Sequence, residues 1–339
     1  MTMRASVVVP TFKRKCLLER CLAALMRQDL DPASWEVIVA DDAASHETES
    51  LIARWLAGDE PGANADGCAT RQGPALRYVA VTHAHGPAAA RNAGWHAASG
   101  EIIAFTDDDT LPEPNWLRTG LEAFADGVVG VSGRIIVPTS AAPIDYERNE
   151  AGLECANFPT ANCFYRRDAL EAVGGFDERF TAPWREDGDL YFTLLRQTNG
   201  QVERFLRVPE AIVVHPVRPA PWGVSLGQQR KSMFNALLYK KHPELYRQMI
   251  QSQPPWHYYS IVGALMAALA GLVSRNQRLA LSAACVWLLL TGRFCSRRLA
   301  ETSRAPSHVA EMLLTSALIP PLSVYWRLRG ALKFRVLFL

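Results

Sequence analysis

Three consecutive carboxylates, Asp107, Asp108 and Asp109, close a short apolar run in EIIAFTDDDTLPEP, residues 101–114. Adjacent like charges repel and raise one another's pKa unless a cation compensates them. Hard divalent cations are held by one or two carboxylates together with substrate phosphates. The chemistry suggested is therefore a site for a metal-bound phosphate ester. An acidic, solvated turn after a strand would look the same in isolation, so the rest of the chain must separate the two readings.

Four further groups bear on it. Asp41-Asp42 ends VIVADD, where a carboxylate can accept hydrogen bonds from a base or ribose; equally, Asp42 or Ser45 can cap a following helix. In GPAAARNAG, residues 86–94, Pro87 suits a first helical position and Arg91 lies where it can meet a phosphate. Glu186 and Asp187 follow the irregular stretch FTAPWR. A buried acid there can have a raised pKa and act as a general base, although the helix dipole also favours acids in a first turn. His215, after AIVV, is a neutral metal ligand or an ordinary strand-end histidine.

The elements that must position these groups alternate. Residues 6–10, 36–40, 75–81 and 102–106 read as strands. Residues 16–28, 48–56 and 88–98 between them read as helices, the first with apolar residues at Leu18, Cys21, Leu22, Leu25 and Met26. This rhythm predicts an α/β fold with a mostly parallel sheet and helices on its faces. Ligands of such sheets sit beyond the carboxyl ends of the strands, where Pro10-Thr11, Asp41-Asp42 and the acid triplet all fall. Residues 58–74 are rich in Gly, Pro and small side chains and read as an inserted loop. Residues 128–137 and 201–215 are strand-like, and 186–197 reads as a helix.

The charge balance is uneven. Net charge is +2 over 339 residues, yet residues 256–339 hold ten Arg and Lys against two acids, while 1–255 hold 26 basic and 32 acidic residues. Residues 256–273 and 279–292 are uncharged with His257 neutral, and Trp256, Tyr258 and Tyr259 open the first run as an interfacial aromatic belt would. A third apolar stretch, 309–326, contains Pro320-Pro321 and is expected to be re-entrant or interfacial. The basic residues punctuate apolar runs and line no polar helix, which argues for an anionic membrane surface and against nucleic acid. Seven scattered cysteines without a C-x-x-C pair suggest structural thiols in a reducing compartment. The first fifteen residues read as entry into a strand and not as a signal peptide.

The order SVVVPTFKR, VIVADDAAS, GPAAARNAG, IIAFTDDDTLPEPNWL, NCFYRRDALEAVGGFDERF, REDGDLYFTLL resembles the inverting family 2 glycosyltransferases of the GT-A fold over residues 5–217. The resemblance implies that Pro10, Thr11 and Asp42 border the base and ribose; Arg91, from its place near a helix start, and Asp108, in the variable middle position of the triplet, are counted on the nucleotide-sugar side. Asp107 and Asp109 match the family's D-x-D, with Asp109 contacting the metal (Mn2+ or Mg2+) and Asp107 the ribose or metal; His215, from its place at a strand end, stays a candidate further metal ligand. Asp187 matches the acid that deprotonates the acceptor hydroxyl, with Glu186 beside it. Gly174-Gly175-Phe176-Asp177 matches a stretch near acceptor and donor sugar. The Q-x-x-R-W motif of processive synthases is absent, since Lys231 follows Gln228-Gln229-Arg230, which argues for addition of single sugars. Three regions are implied: a transferase domain, 1–225; amphipathic connecting helices, 226–255; and a hydrophobic, basic membrane region, 256–339. The partners implied are a nucleotide-diphosphate sugar, a UDP-sugar first, a glycan or lipid-linked acceptor, and membrane lipid. The expected location is a bacterial inner membrane with the catalytic domain facing the cytoplasm. Two alternatives stand. A haloacid-dehalogenase-type phosphatase would need its D-x-D after the first strand and a later catalytic lysine, and no lysine occurs between Lys15 and Lys231. A non-catalytic nucleotide-sugar-binding relative would keep the fold without turnover.

Overall fold

The computed structural model describes residues 3–58 and 73–338, so most of the expected loop at 58–74, with Cys68, lies outside the described residues. Strand β1 (Ala5–Thr11) leads to helix α1 (Lys15–Leu25), β2 (Trp35–Asp41), α2 (His46–Leu56), β3 (Ala75–Ala80), α3 (Pro87–Ala97) and β4 (Ile102–Phe105). There follow the short β5 (Leu111–Pro112), α4 (Trp116–Glu122), β6 (Gly130–Ile136), α5 (Asp145–Ala151), β7 (Cys163–Arg166), α6 (Arg167–Val173), α7 (Glu186–Gln197) and β8 (Phe205–Val214). The first four strands and three helices thus fall within a few residues of the periodicities in the sequence.

One eight-stranded sheet has the order β3-β2-β1-β4-β7-β6-β8-β5. Strands β3, β2, β1 and β4 run parallel, joined by helical crossovers, with β1, β2 and β4 buried and apolar and β3 half-exposed at the edge. Beyond β4 the sheet is mixed: β7 inserts antiparallel between β4 and β6, and β8 returns parallel to β6. Helix α1 buries Leu18, Cys21, Leu22 and Leu25 in the same core as Val7, Val9, Val37 and Val39. Burying each leucine contributes roughly 2 kcal/mol, so Leu22→Ala should cost about 2–5 kcal/mol once its cavity is included.

The chain divides into two units. The first comprises Met1–Pro138 and Leu153–Pro216; the second comprises Thr139–Gly152 and Val217–Leu339. Helix α5 therefore belongs to the second unit although it lies between β6 and β7 in sequence. The second unit continues with α8 (Val224–Gln228), a 3-10 turn (Gln229–Met233), α9 (Phe234–Lys241), α10 (Pro243–Met249), α11 (Trp256–Val273), α12 (Gln277–Leu299) and α13 (Pro306–Phe334).

Helices α11 and α12 form a tight antiparallel hairpin. Asn276 caps α12 by accepting from the Leu279 N–H at 3.2 Å. A side chain at Gly271 would strike the backbone of Ala280, so glycine permits the close approach. Among the described residues α11, α12 and α13 are each long and apolar enough to cross a membrane by length and composition. α13 runs unbroken through Pro320-Pro321, where a re-entrant turn was one expectation. Proline's φ is itself helical, and the missing N–H bonds are offset by packing of Ser316, Ile319 and Pro320 in the unit's interior.

Candidate active site

The acid triplet follows β4 in a turn held from several sides. The Thr106 hydroxyl bonds Thr110 at 2.7 Å and the Ala161 carbonyl at 3.0 Å, and the Thr110 hydroxyl donates to the Asp107 carbonyl at 2.7 Å. The three carboxylates then go three ways. Asp107 accepts from Arg91 Nη2 at 2.8 Å. Asp108, buried, accepts from the Thr11 hydroxyl at 2.8 Å and Arg14 Nη1 at 3.1 Å. Asp109 Oδ1 lies 3.4 Å from His215 Nε2, and Asp109 Oδ2 lies 3.6 Å from Arg14. The mutual repulsion is thus relieved partly by two arginines of the chain itself. Burial pushes the Asp108 carboxyl up to about 6, with Arg14 opposing and Asp109 adding to the shift.

Arg91 is the hub. It projects from α3, is 3 % exposed, and gives Nη1 to Glu186 Oε1 at 3.0 Å while Nη2 holds Asp107. Its guanidinium also lies 5.8 Å from the Phe176 ring centroid. One buried cation therefore joins the turn after β4 to the first residue of α7, bringing together acids that the sequence separates widely. Glu186 is buried, and its Oε2 makes no hydrogen bond among the described residues. Burial first, and Asp187 after it, raise the Glu186 carboxyl against the pull of Arg91. The Asp187 carboxyl accepts from the Gly188 N–H at 2.6 Å and is also raised, by burial first, with Gly188, Arg185 and Arg91 opposing. Two acids with raised pKa at a helix start beside a shared cation form an arrangement suited to proton transfer. Arg185, just before them, has φ +77, a left-handed conformation that costs an arginine about 1–2 kcal/mol.

The remaining expected residues fall on the same rim in different capacities. Thr11 closes β1 and donates to Asp108, next to Pro10. Asp41 accepts from the N–H groups of Ala43 and Ser45 at 2.9 and 2.8 Å, and Ser45 caps α2. Asp42 accepts from the Gly86 N–H at 2.9 Å, and its other oxygen lies 3.1 Å from His85 Nδ1, so it ties the start of α3 to β2. Gly86, at φ +109, has the Thr181 backbone pressed against it, with only 2.9 Å between the Thr181 oxygen and the place a Cβ would take.

Two residues enter that sequence reasoning did not single out. Arg14 sits in FKRK just past β1, and its partners Asp108 and Asp109 come from a distant segment. Asn92 holds the loop at 176–178 to α3: its side chain accepts from the Phe176 N–H at 2.9 Å and donates to the Phe176 carbonyl at 2.8 Å and Glu178 at 2.9 Å. Phe176 lies against Arg91. Only Asn92's place next to Arg91, on the same helix turn, was a usable signal. Asp177 of the same loop pairs with Arg179.

As to metal, Asp109 and His215 offer a carboxylate and an imidazole 3.4 Å apart, a donor set that accepts Mn2+ or Mg2+ alongside substrate phosphates. No group of three or more His, Cys, Asp or Glu side chains able to hold a metal is assembled among the described residues, and Asp107 is turned to Arg91. The residues fit a cation bound jointly with a ligand and not an all-protein cage.

Residues 6–174 match glycosyl transferase family 2, and residues 102–296, more than half of the chain, match glycosyl transferase family group 2. The chain belongs to glycosyl transferase family group 2. It is 26 % identical over 224 residues to glycosyltransferase AglE of Haloferax volcanii, covering 63 % of this chain and 67 % of the relative. It is 30 % identical over 321 residues to a pre-mycofactocin glycosyltransferase of Mycobacterium tuberculosis, covering 88 % of this chain and 59 % of that protein. It thus spans about three fifths of the mycobacterial relative's length. A mannosyltransferase from Pyrobaculum calidifontis, PcManGT, solved with GDP-Man and Mn2+, superposes with a TM-score of 0.57 at 20 % identity over 96 % of this chain and 88 % of that one. The fold shared is GT-A, as the motif order implied. The triplet follows β4 and not the first strand, so the phosphatase alternative falls with the family.

Proposed function

We propose that this chain transfers a single sugar from a nucleotide-diphosphate sugar to an acceptor hydroxyl, with inversion at the anomeric carbon, at a membrane surface. The observation that carries the reading is Arg91, whose one guanidinium holds Asp107 of the donor-side turn and Glu186 beside Asp187. In a single displacement the acceptor oxygen bonds the anomeric carbon as the bond from that carbon to the diphosphate oxygen breaks. The electron pair leaves with the nucleoside diphosphate, and the acceptor's proton passes to Asp187.

Each residue has a part in this. Pro10, Thr11 and Asp42 border base and ribose. Asp108 and Arg14 fix the turn so that Asp109 and His215 face the diphosphate. Glu186, sharing a cation with Asp107 and raised by burial, keeps Arg91 in place beside the base. Held by Asp109 and His215, Mn2+ or Mg2+ would supply positive charge opposite the departing diphosphate, while Asp107 stays paired with Arg91. The naming of GDP-Man and Mn2+ for the archaeal mannosyltransferase supports both a nucleotide sugar and a divalent cation here.

Three apolar helices and the basic charge of residues 256–339 support a membrane location, and with it a glycan or lipid-linked acceptor presented at that surface, the active site facing the cytoplasm. The test is release of nucleoside diphosphate by the full chain in lipid, across UDP- and GDP-sugars, with membrane lipid extracts as acceptor. Acceptor-dependent release with sugar on the acceptor is expected; donor binding without any release would leave a non-catalytic binding protein.

A further inference from the structure

The second unit holds a polar cavity of about 370 Å3, lined by none of the residues of the candidate active site. It lies at the open end of the α11–α12 hairpin, where Tyr258 meets Phe294 edge-on with ring centroids 5.4 Å apart. All its lining residues belong to the second unit. Three of them are arginines, Arg148, Arg297 and Arg298, and only one, Asp145, is an acid.

The three guanidiniums are not equivalent. Arg298 is built in: it donates to Asp145 at 2.7 Å and to the hydroxyls of Thr315 and Ser316 at 2.7 and 3.1 Å. Arg148 lies 2.6 Å from Glu301. The guanidinium of Arg297, in the last turn of α12, makes no ion pair or hydrogen bond among the described residues. The Ser225 hydroxyl is shielded from solvent and likewise makes no hydrogen bond among them. Against these donors stand Phe294, Ile319 and Tyr258, and elsewhere along the hairpin Leu281, Leu288 and Leu289 are exposed.

We propose that this cavity is the headgroup site of a phosphate-bearing membrane lipid. An oxyanion held by Arg297, with Ser225 and Arg148 as further donors, matches the excess of cationic donors, because guanidiniums recognise phosphate through paired N–H groups. The cavity lies at the end of two helices long and apolar enough to cross a membrane, the level at which lipid headgroups sit and one that a free anion would not require. The proposal rests on reading the hairpin as membrane-inserted and is independent of sugar transfer.

The test uses the full chain in nanodiscs of phosphatidylcholine with a minority of phosphatidylglycerol, reading the lipid retained on the protein by native mass spectrometry after detergent release. Phosphatidylglycerol should be retained in preference to phosphatidylcholine. Arg297→Gln should lower that retention about fivefold, the effect of one basic residue at an anionic surface. Arg293→Gln, which removes a charge from the same end of α12 outside the cavity lining, should leave it unchanged. Circular dichroism checks that the variants fold, and Arg148→Gln provides a second reduction. Equal retention of the two lipids, or equal loss from Arg293→Gln and Arg297→Gln, overturns the proposal. Displacement of phosphatidylglycerol by millimolar inorganic phosphate would reassign the site to a free anion and also overturn it. Sugar transfer is not read, so failure here is distinct from failure of the proposed function.

Discussion

His215 stands with Nε2 3.4 Å from Asp109 Oδ1, so the end of β8 and the turn after β4 present their donors to each other across the sheet's rim. If that pair receives a divalent cation together with a diphosphate, excess chelator should abolish transfer, and Mn2+ or Mg2+ should restore it. Asp109→Asn should lose donor binding and rate together, while His215→Ala should raise the metal concentration giving half-maximal rate. Full activity in excess chelator would end the metal reading.

Asp187→Asn should leave nucleotide-sugar binding nearly intact and lower transfer by about 10²–10⁴-fold, the usual contribution of a positioned base. Donor affinity by calorimetry and single-turnover rates separate the two effects. Should Asp187→Asn transfer at the parental rate while Glu186→Gln does not, the base is Glu186.

The pH dependence has a definite sign. Both carboxyls are raised, burial first, so the folded protein holds their protons to higher pH than the unfolded chain does. Their charged forms therefore cost stability as pH climbs from the ordinary carboxylate range near about 4 through the raised values, and cost nothing below it. The rate should rise over the same interval as the base deprotonates, with a midpoint belonging to the pair and above about 4. Asp187→Asn should then raise the Tm at pH 8 and not at pH 4. An unchanged Tm difference across that range would mean the carboxyl is not raised.

Arg91→Met should be among the most damaging single changes, because it leaves buried Glu186 without its cation; breaking such a pair costs about 3–5 kcal/mol. Arg91→Lys keeps the charge but cannot reach both carboxylates with paired N–H groups, so partial stability with reduced transfer is expected. Chemical denaturation of the two variants, compared at one pH, checks the order.

Arg298, at the end of α12, is bonded to Thr315 and Ser316 in the first half of α13, while Gly330 near its other end has the Met233 backbone pressed against it. A third spanning helix would carry most of its length away from the α12 terminus and from the polar turn at Gln229–Met233. We therefore expect α13 to lie in the membrane interface, exposing Leu314, Leu318, Leu328 and Leu332 to lipid, with Arg335 on the same side as residues 1–255. In a cysteine-free background, a cysteine placed at 335 should resist impermeant reagent added from outside; labelling there would make α13 a third crossing.

Much of the parallel half of the sheet was legible because β1, β2 and β4 are buried apolar runs that stop at Pro or Asp, and a stop at a strand's carboxyl end is also where the chemistry sits. Strand β7 was not. Cys163–Arg166 is four residues long, too short for periodicity, and its antiparallel place between β4 and β6 is a tertiary fact. Helix α5, DYERNEA, has no apolar face and is placed by the ion pairs of Asp145 and Arg148. Arg91 could be read as a cation near a phosphate; its partners, Asp107 and Glu186, are carboxylates of the chain itself and only the fold brings them to it. Nor did residue types separate Asp42 as a ribose acceptor from Asp42 as the anchor of Gly86.

The excursion of residues 139–152 into the helical unit has a consequence for how such a protein can be inherited. The chain passes from one unit to the other at 138, returns at 152, and leaves again at 216, so no single cut separates them. A fragment ending near 216 would keep α5 while discarding Arg298 and Glu301, the partners of Asp145 and Arg148. Joining this sheet to another tail while keeping both ion pairs would mean exchanging two segments at once.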